Sequence, residues 1–487
     1  MTTPTAPAQN PDVERLPASS RLVIALLLAS AFVLILNETI MGVALAPIMD
    51  NLGIEATAGQ WLTTAFMLTM AVVIPVTGFL LQRLTTRAVF LTAMTSFTLG
   101  TLVCAVSPTF AVLVTGRVVQ AVGTAIMMPL LMTTVMQLVP ATMRGRVMGN
   151  ISIVISVAPA IGPAVSGLIL SLLDWRGLFW VVLPLVVTML VVGLRWVPNV
   201  TEPRRLRLDV GSVVLSGLGF GGLIYGLSSI GESVHQQPAV SPGVPIAVGA
   251  VSLLLFALRQ RQLQRTDDAL LDLRTFTSRT FALAIMLMLV LMGALFGTVI
   301  LLPLYLQEAL HLASLSTGLL LVPGGLIMGL LGPLVGRLFD RWGPRPLVVP
   351  GCTLVAAAMA LMSRLDEGSS PVSVLLLHVV LSIGLALTFT PLFTSALGSL
   401  QPRLYSHGSA TIGTVQQLAG AAGTAAFVVL MVTRQASLLD SGATAEAALA
   451  GGVGTALVAG AVLAALAIPL GALLRRPPTP VDAPAGH

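Results

Sequence analysis

The run Leu34-Ile35-Leu36-Asn37-Glu38-Thr39-Ile40-Met41 sets a single carboxylate inside a stretch, Leu22 to Pro47, that is otherwise almost wholly apolar. A helix of that length rises about 1.5 Å per residue and can cross a hydrocarbon layer roughly 30 Å thick, which puts Glu38 at membrane depth, about 24 Å from the Leu22 end. A charged side chain at that depth costs on the order of 2.5–3.5 kcal/mol on insertion scales, so Glu38 is expected to face a bundle interior or a water-filled cavity. Burial penalises the anion more than the acid. A carboxyl that takes up and releases a proton as its surroundings alternate between dry and wet is what a proton-coupled carrier requires.

Composition points the same way. Of 487 residues, 56% are hydrophobic and 9% charged, whereas a soluble chain carries about 25% charged residues and could not hide this much apolar surface in one core. An all-α polytopic membrane protein follows. The net charge of +6 rests on 25 basic residues, all of them Arg. They lie between apolar runs rather than on one face, so they read as topology determinants and not as a nucleic-acid surface. Cys104 and Cys352 both fall in apolar runs, and neither a disulfide framework nor a metal site is implied. The first apolar run is too long for a cleaved signal peptide, so its helix is expected to be retained.

Apolar runs broken at Arg clusters and at Pro/Gly turns predict fourteen helices, near residues 22–47, 59–81, 88–106, 109–139, 146–171, 177–197, 210–230, 243–262, 281–307, 315–338, 346–363, 372–399, 407–432 and 450–474. With the N-terminus inside, Arg176, Arg364 and Arg434 fall on the outer side, Arg117 lies within a helix, and every other Arg is inside. That asymmetry predicts that both termini are cytoplasmic. Residues 1–20 are expected to be a disordered tail, 21–200 a six-helix bundle, 201–280 a linker with two extra helices, 281–474 a second six-helix bundle and 475–487 a tail.

A pattern recurs where the second helix of each bundle meets the third: Gly336-Arg337-Leu338-Phe339-Asp340-Arg341-Trp342-Gly343-Pro344-Arg345 in one, Gly78-Phe79-Leu80-Leu81-Gln82-Arg83-Leu84-Thr85-Thr86-Arg87 in the other. Duplicated bundles place a binding site at their interface near the midplane. Other residues carry potential chemistry. Arg117, in Leu113-Val114-Thr115-Gly116-Arg117-Val118-Val119-Gln120-Ala121-Val122-Gly123, is the one basic group at membrane depth, roughly 12 Å below the outer surface against roughly 14 Å for Glu38. The two are expected to be able to pair, the carboxylate giving up its proton when they do. A static ion pair, or an Arg bonded to backbone carbonyls, is the plainer account. In Ala158-Pro159-Ala160-Ile161-Gly162-Pro163-Ala164-Val165-Ser166-Gly167, small residues allow close helix contact and Pro163 removes a backbone bond.

These motifs, taken in order with Trp175-Arg176, Phe179, Pro184, Leu302-Pro303-Leu304-Tyr305-Leu306-Gln307 and Gly408-Ser409-Ala410, resemble the major facilitator superfamily over residues 22–474. The resemblance is to its fourteen-helix drug:proton antiporter branch. Leu36-Asn37-Glu38-Thr39-Ile40-Met41 with Gln60-Trp61-Leu62 and Ile74-Pro75-Val76-Thr77 is similar to exporters of the lincomycin-efflux type. Many members carry Asp where Asn37 stands, and one position is about 100° around a helix. The resemblance implies two six-helix bundles plus two inserted helices, and a proton-coupled exporter of amphipathic drugs that acts by alternating access. In that reading Glu38 and Arg117 couple the proton, and Pro159, Gly162, Pro163 and Gly167 form an antiporter-motif hinge. A cytoplasmic gate would comprise Gly78, Gln82, Arg83 and Arg87 with Gly336, Asp340, Arg341 and Arg345. Asn37, Gln120, Tyr305, Gln307, Gln416 and Gln417 are candidates for the cavity lining, though each amide serves equally well in helix packing. Met127, Met128 and Met132 suit a pliable cavity, or simply packing.

No cofactor is expected, a proton gradient being the energy source, and the chain is expected to act as a monomer on a small amphipathic substrate. The alternatives are a dedicated exporter of one metabolite, lipid or siderophore, and a membrane sensor that does not transport. Gly217-Leu218-Gly219-Phe220-Gly221-Gly222 has dinucleotide-binding spacing but lies in an apolar helix with no preceding strand. His235, His311, His378 and His407 lack metal-ligand spacing, and nothing pairs a nucleophile with a base. Because Gln82 replaces the usual acid of the first loop motif, Gln82→Asp is expected to shift the balance of inward- and outward-open states. Labelling of cysteines placed in the two vestibules measures it, and unchanged labelling contradicts it.

Overall fold

A computed structural model describes residues 16–200, 203–204, 207–232 and 241–476. Most of the two expected tails, and Arg205, lie outside the described residues. Among those described, all regular structure is helical and fourteen helices are long and apolar enough to span a membrane. They are α1 (Ala18–Leu52), α2 (Ala56–Arg83), α3 (Thr86–Ala105), α4 (Phe110–Leu138), α5 (Arg144–Leu172), α6 (Arg176–Trp196), α7 (Val210–Glu232), α8 (Gly243–Leu263), α9 (Arg279–Leu304), α10 (Ser314–Trp342), α11 (Arg345–Met362), α12 (Pro371–Gly398), α13 (Tyr405–Asp440) and α14 (Ala445–Ala472).

Several ends are written in local chemistry. Thr85, Thr109, Ser278 and Thr444 accept from backbone N–H groups three residues on and so cap α3, α4, α9 and α14. Gly53 closes α1 at φ 63°, a conformation that costs glycine little. Two helices outrun the apolar pattern. α1 continues through Pro47 to Leu52, and α13 runs eight residues past the expected end at 432, because the polar residues there still suit a helix. Pro303 is followed by a widened turn, Tyr305–Ala309, a local adjustment that re-satisfies backbone groups the proline leaves free.

Helices α1–α6 pack among themselves, as do α9–α14, and the halves meet along two seams, α5 against α10 and α2 against α13. At the Arg-rich end the first seam is a glycine contact. A Cβ on Gly145 or Gly149 would run into the backbone carbonyls of Gly336 and Gly332, and the converse substitutions would do the same. No other residue lets two helix backbones approach so closely. Towards the opposite end the seam parts: a Cβ on Gly167 of α5 or Gly318 of α10 would meet nothing within 4 Å. Hydroxyl pairs Ser152–Thr390 at 2.6 Å and Thr133–Ser409 at 2.7 Å add cross-half bonds.

The inserted hairpin sits on the second seam. α7 contacts both α2 and α13, with Trp61 stacked on Tyr225 at 6.3 Å. Gly219, Gly222, Gly226 and Gly249 let α7 and α8 approach closely, so two of the glycines with dinucleotide-like spacing, Gly219 and Gly222, serve helix packing. Asp209 ties the hairpin together, accepting from Arg259 Nε at 2.6 Å and from Ser212 N at 2.9 Å. Its hydrogen bond with Arg259 holds this carboxyl well below the usual range.

Gly336→Val is expected to force the halves apart at the Arg-rich end. Pulsed electron-spin distances between labels on the α4–α5 and α10–α11 loops should lengthen there; unaltered distances would show that the glycine contact does not set the arrangement.

Candidate functional site

Arg117 is 1% exposed, although it is one of the largest side chains in the protein. Its Nη1 donates to Asn37 Oδ1 at 3.3 Å and to Gln120 Oε1 at 3.0 Å, and Gln120 Nε2 donates to Thr101 Oγ1 at 2.8 Å. The guanidinium carbon lies 4.1 Å from the centre of the Phe66 ring. Four helices, α1 to α4, therefore close around one cation. Asn37 and Gln120, candidates for the cavity lining, are both buried and bonded to it. Arg117 Nε and Asn37 Nδ2 are buried without a hydrogen-bond partner.

Glu38 is half-buried and makes no ion pair within 4.0 Å of Arg117, against the expectation that the two would meet. The reason is azimuth. One residue is about 100° around a helix, and it is Asn37, not Glu38, that α1 turns towards α4. The two charges nevertheless remain within electrostatic reach.

The α5 motif braces the turn that carries Glu38. Gly162 packs so tightly on Thr39 that a Cβ there would overlap its hydroxyl. Ser166 Oγ donates to Ile40 O at 2.9 Å, and Thr39 Oγ1 donates back to Leu36 O at 3.0 Å. Gly167 touches nothing, and Pro159 and Pro163 lie within an unbroken helix, Pro163 exposed on its surface. The motif's contact is thus made by Gly162 and Ser166. Thr39 and Ser166 lie within the quoted motifs, whereas Thr101 and Phe66 are neighbours of the site that no sequence signal singles out, since each looks like ordinary helix filling.

At the Arg-rich end the two loop motifs cross the seams. Asp340 Oδ1 and Oδ2 accept from Gly145 N at 2.8 Å and Arg146 N at 2.9 Å, so a C-terminal-half carboxylate caps the first turn of α5 in the other half. Its counterpart Gln82 reaches the first turn of α13, donating to Ser406 Oγ at 3.0 Å and contacting the His407 ring. Gly78 makes room for this, since a Cβ there would lie only 3.3 Å from the Ala410 methyl and 3.4 Å from the His407 ring. The amide at 82 bridges the halves without a charge. Arg345 Nε donates to Leu474 O at 2.6 Å, Arg341 lies over Trp342 at 5.8 Å, and Arg83 over Phe79 at 5.9 Å. Arg87 donates to the carbonyl of Leu194, tying down α6.

The remaining cavity candidates divide. Gln417 Nε2 reaches Met70 Sδ across the second seam at 3.8 Å, and Gln416 is half-buried one position before it. Gln307 is half-buried in the widened turn after α9. Tyr305 is corrected: it is buried and its hydroxyl donates to Asp366 O at 2.6 Å, fastening the loop before α12 instead of facing the cleft.

Two helix bundles that touch at one end and part at the other, around a half-buried acid on the first helix, define a multi-pass membrane transporter. The chain belongs to the Major Facilitator Superfamily, whose family model matches residues 27–424. It is 40% identical to the lincomycin resistance protein LmrB of Listeria monocytogenes over 93% of this chain and 96% of that one, and 37% identical to LmrB of Bacillus subtilis over 85% and 86%. A multidrug resistance protein B homolog of Mycobacterium tuberculosis is 29% identical over 81% of this chain and 73% of that one. The fold is shared with the human organic anion transporter MFSD10, at TM-score 0.66 and 17% identity over 93% of this chain and 100% of that one. It is shared too with the proton:xylose symporter XylE, at TM-score 0.64 and 13% identity over 94% and 96%.

Gly162→Ala is expected to push α1 off α5 at Glu38, and Thr39→Ala should partly relieve it. A double-mutant cycle on thermal stability in detergent should give a coupling of about 0.5–3 kcal/mol. Simple additivity would mean that the two side chains do not bear on one another.

Proposed function

We propose that this transporter exports amphipathic organic compounds, drugs among them, in exchange for protons across a bacterial plasma membrane, working by alternating access. The observation that carries the reading is Glu38, an ionisable carboxyl part-way along the first spanning helix, half-buried and free of an ion pair. A group so placed is cheap to protonate when its surroundings are dry and cheap to ionise when they are wet. The names of the lincomycin- and multidrug-resistance relatives support an organic substrate and an outward direction.

In this mechanism Glu38 carries the proton. Arg117, held by Asn37 and Gln120, is a fixed positive charge that favours the anion whenever the α1 turn rotates towards it. Gly162 and Ser166 transmit movement of α5 to that turn. Asp340 on the first turn of α5 and Gln82 on that of α13 latch the end carrying the Arg-rich loops, which the Arg asymmetry assigns to the cytoplasm. Breaking the latch exposes the cleft to that side. The chain works as a monomer, and the proton gradient is its energy source.

One pH unit is worth about 1.4 kcal/mol per proton, enough to hold a neutral substrate at roughly a tenfold ratio. In proteoliposomes with an imposed gradient of about one unit, the wild type should concentrate lincomycin. Glu38→Gln should lose this uphill accumulation and keep counterflow. Uphill transport at the wild-type level in the variant removes Glu38 from the mechanism; a wild type indifferent to the gradient removes proton coupling.

A further inference from the structure

α4 and α12 are the fourth helices of their halves, and their sequences keep step. Arg117-Val118-Val119-Gln120-Ala121-Val122-Gly123 stands against His378-Val379-Val380-Leu381-Ser382-Ile383-Gly384, each run starting seven residues after the first residue of its helix, Phe110 or Pro371. Packing confirms the register. A Cβ on Gly123 would collide with the Ala93 carbonyl of α3, and one on Gly384 would lie 2.9 Å from the Gly351 carbonyl of α11. His378 therefore occupies in the C-terminal half the place that Arg117 occupies in the N-terminal half.

The two sites differ in how they are filled. Arg117 has Asn37 and Gln120 as partners, while His378 Nδ1 is buried with none. The other edge of the imidazole presses on α10 at Gly324, where a Cβ would strike the ring, and the ring is hydrogen-bonded there to the backbone of Leu321. His378, Ser382, Phe389 and Phe393 fall on one stripe of α12. Phe389 and Phe393 line, with Met328 of α10 and Ser152 and Ser156 of α5, a small crevice at the first seam. His378 thus shares its stripe of α12 with two residues of the inter-half crevice, at a level where Gly325 of α10 still packs on Ala160 of α5.

No charge faces it there. On the helices packed against α12, Arg144 and Arg146 of α5, Arg279 of α9, Arg337, Asp340 and Arg341 of α10, Arg345 of α11 and His407 of α13 are at the Arg-rich end. Arg434 and Asp440 of α13, Glu308 and His311 beyond α9, and Arg364, Asp366 and Glu367 between α11 and α12 are at the other. Arg337 is 13 residues from Gly324 along α10, about 20 Å.

We propose that His378 is a second proton-carrying group of this transporter: Nδ1 takes a proton from the cleft when it is open to one side and returns it when the cleft opens to the other. The step is a bare proton exchange, imidazole to imidazolium and back, and it rests on the antiport reading given above. It makes the two halves complementary, one with a permanent cation at this position and the other with a switchable one.

The test has two readouts on reconstituted full-length protein. The imidazole resonances lost in His378→Gln should shift with pH in the wild type; a single unchanging form between about pH 4 and 8 overturns the proposal. The protons moved per lincomycin are counted from the lincomycin gradient that just halts flux against a known pH gradient. The count should fall by one in His378→Gln, in the smaller His378→Asn, and in His378→Arg, whose charge is fixed. A count equal to wild type in whichever of these reaches the membrane overturns it. Failure of the antiport reading is told apart because the wild type itself would then ignore the pH gradient.

Discussion

A guanidinium withdrawn from water inside a membrane protein must draw its compensation from its neighbours, and the N-terminal half closes around Arg117 to supply most of it. Two amide oxygens accept from it and a phenyl face lies 4.1 Å away, a contact worth about 2 kcal/mol when desolvated. The cost of leaving such a cation unmet would be several kcal/mol, so α1, α2, α3 and α4 are tied together by it. Once Asn37 is fixed against α4, the helical repeat leaves Glu38 turned aside, half-buried and unpaired. The availability of the acid is thus a by-product of where the cation is satisfied.

The second constraint is close approach. Gly145 and Gly149 of α5 meet Gly336 and Gly332 of α10 backbone to backbone, and that contact lets the Asp340 carboxylate reach two N–H groups of the opposite half. Hydrogen bonds of this charged kind contribute about 1.5–3 kcal/mol each, so the carboxylate adds materially to the contact between the halves at the Arg-rich end. The same α5 presses Gly162 on Thr39, so one helix joins the end contact to the turn bearing Glu38.

Much of this was legible in the chain. Hydrocarbon forces every spanning segment to satisfy its own backbone, so fourteen apolar runs become fourteen helices. Asp340 in a Gly-Arg-rich loop suggests a helix N-terminus as its partner, and it has one. What the residues alone could not fix was rotation and reach. Depth along the axis brought Glu38 and Arg117 level, but only azimuth decided that Asn37 would intervene. Tyr305 looked like a cavity residue because nothing local shows that its hydroxyl spans to the Asp366 carbonyl. Gly167 fits the motif spacing of Gly162 yet faces open space, because α5 and α10 have already diverged there.

The inserted hairpin breaks the equivalence of the two seams. With α7 laid over both α2 and α13, that side of the molecule is roofed, whereas the α5–α10 side is edged by those two helices themselves. A compound dissolved in the acyl chains therefore meets unequal flanks, one covered by a third helix and one not.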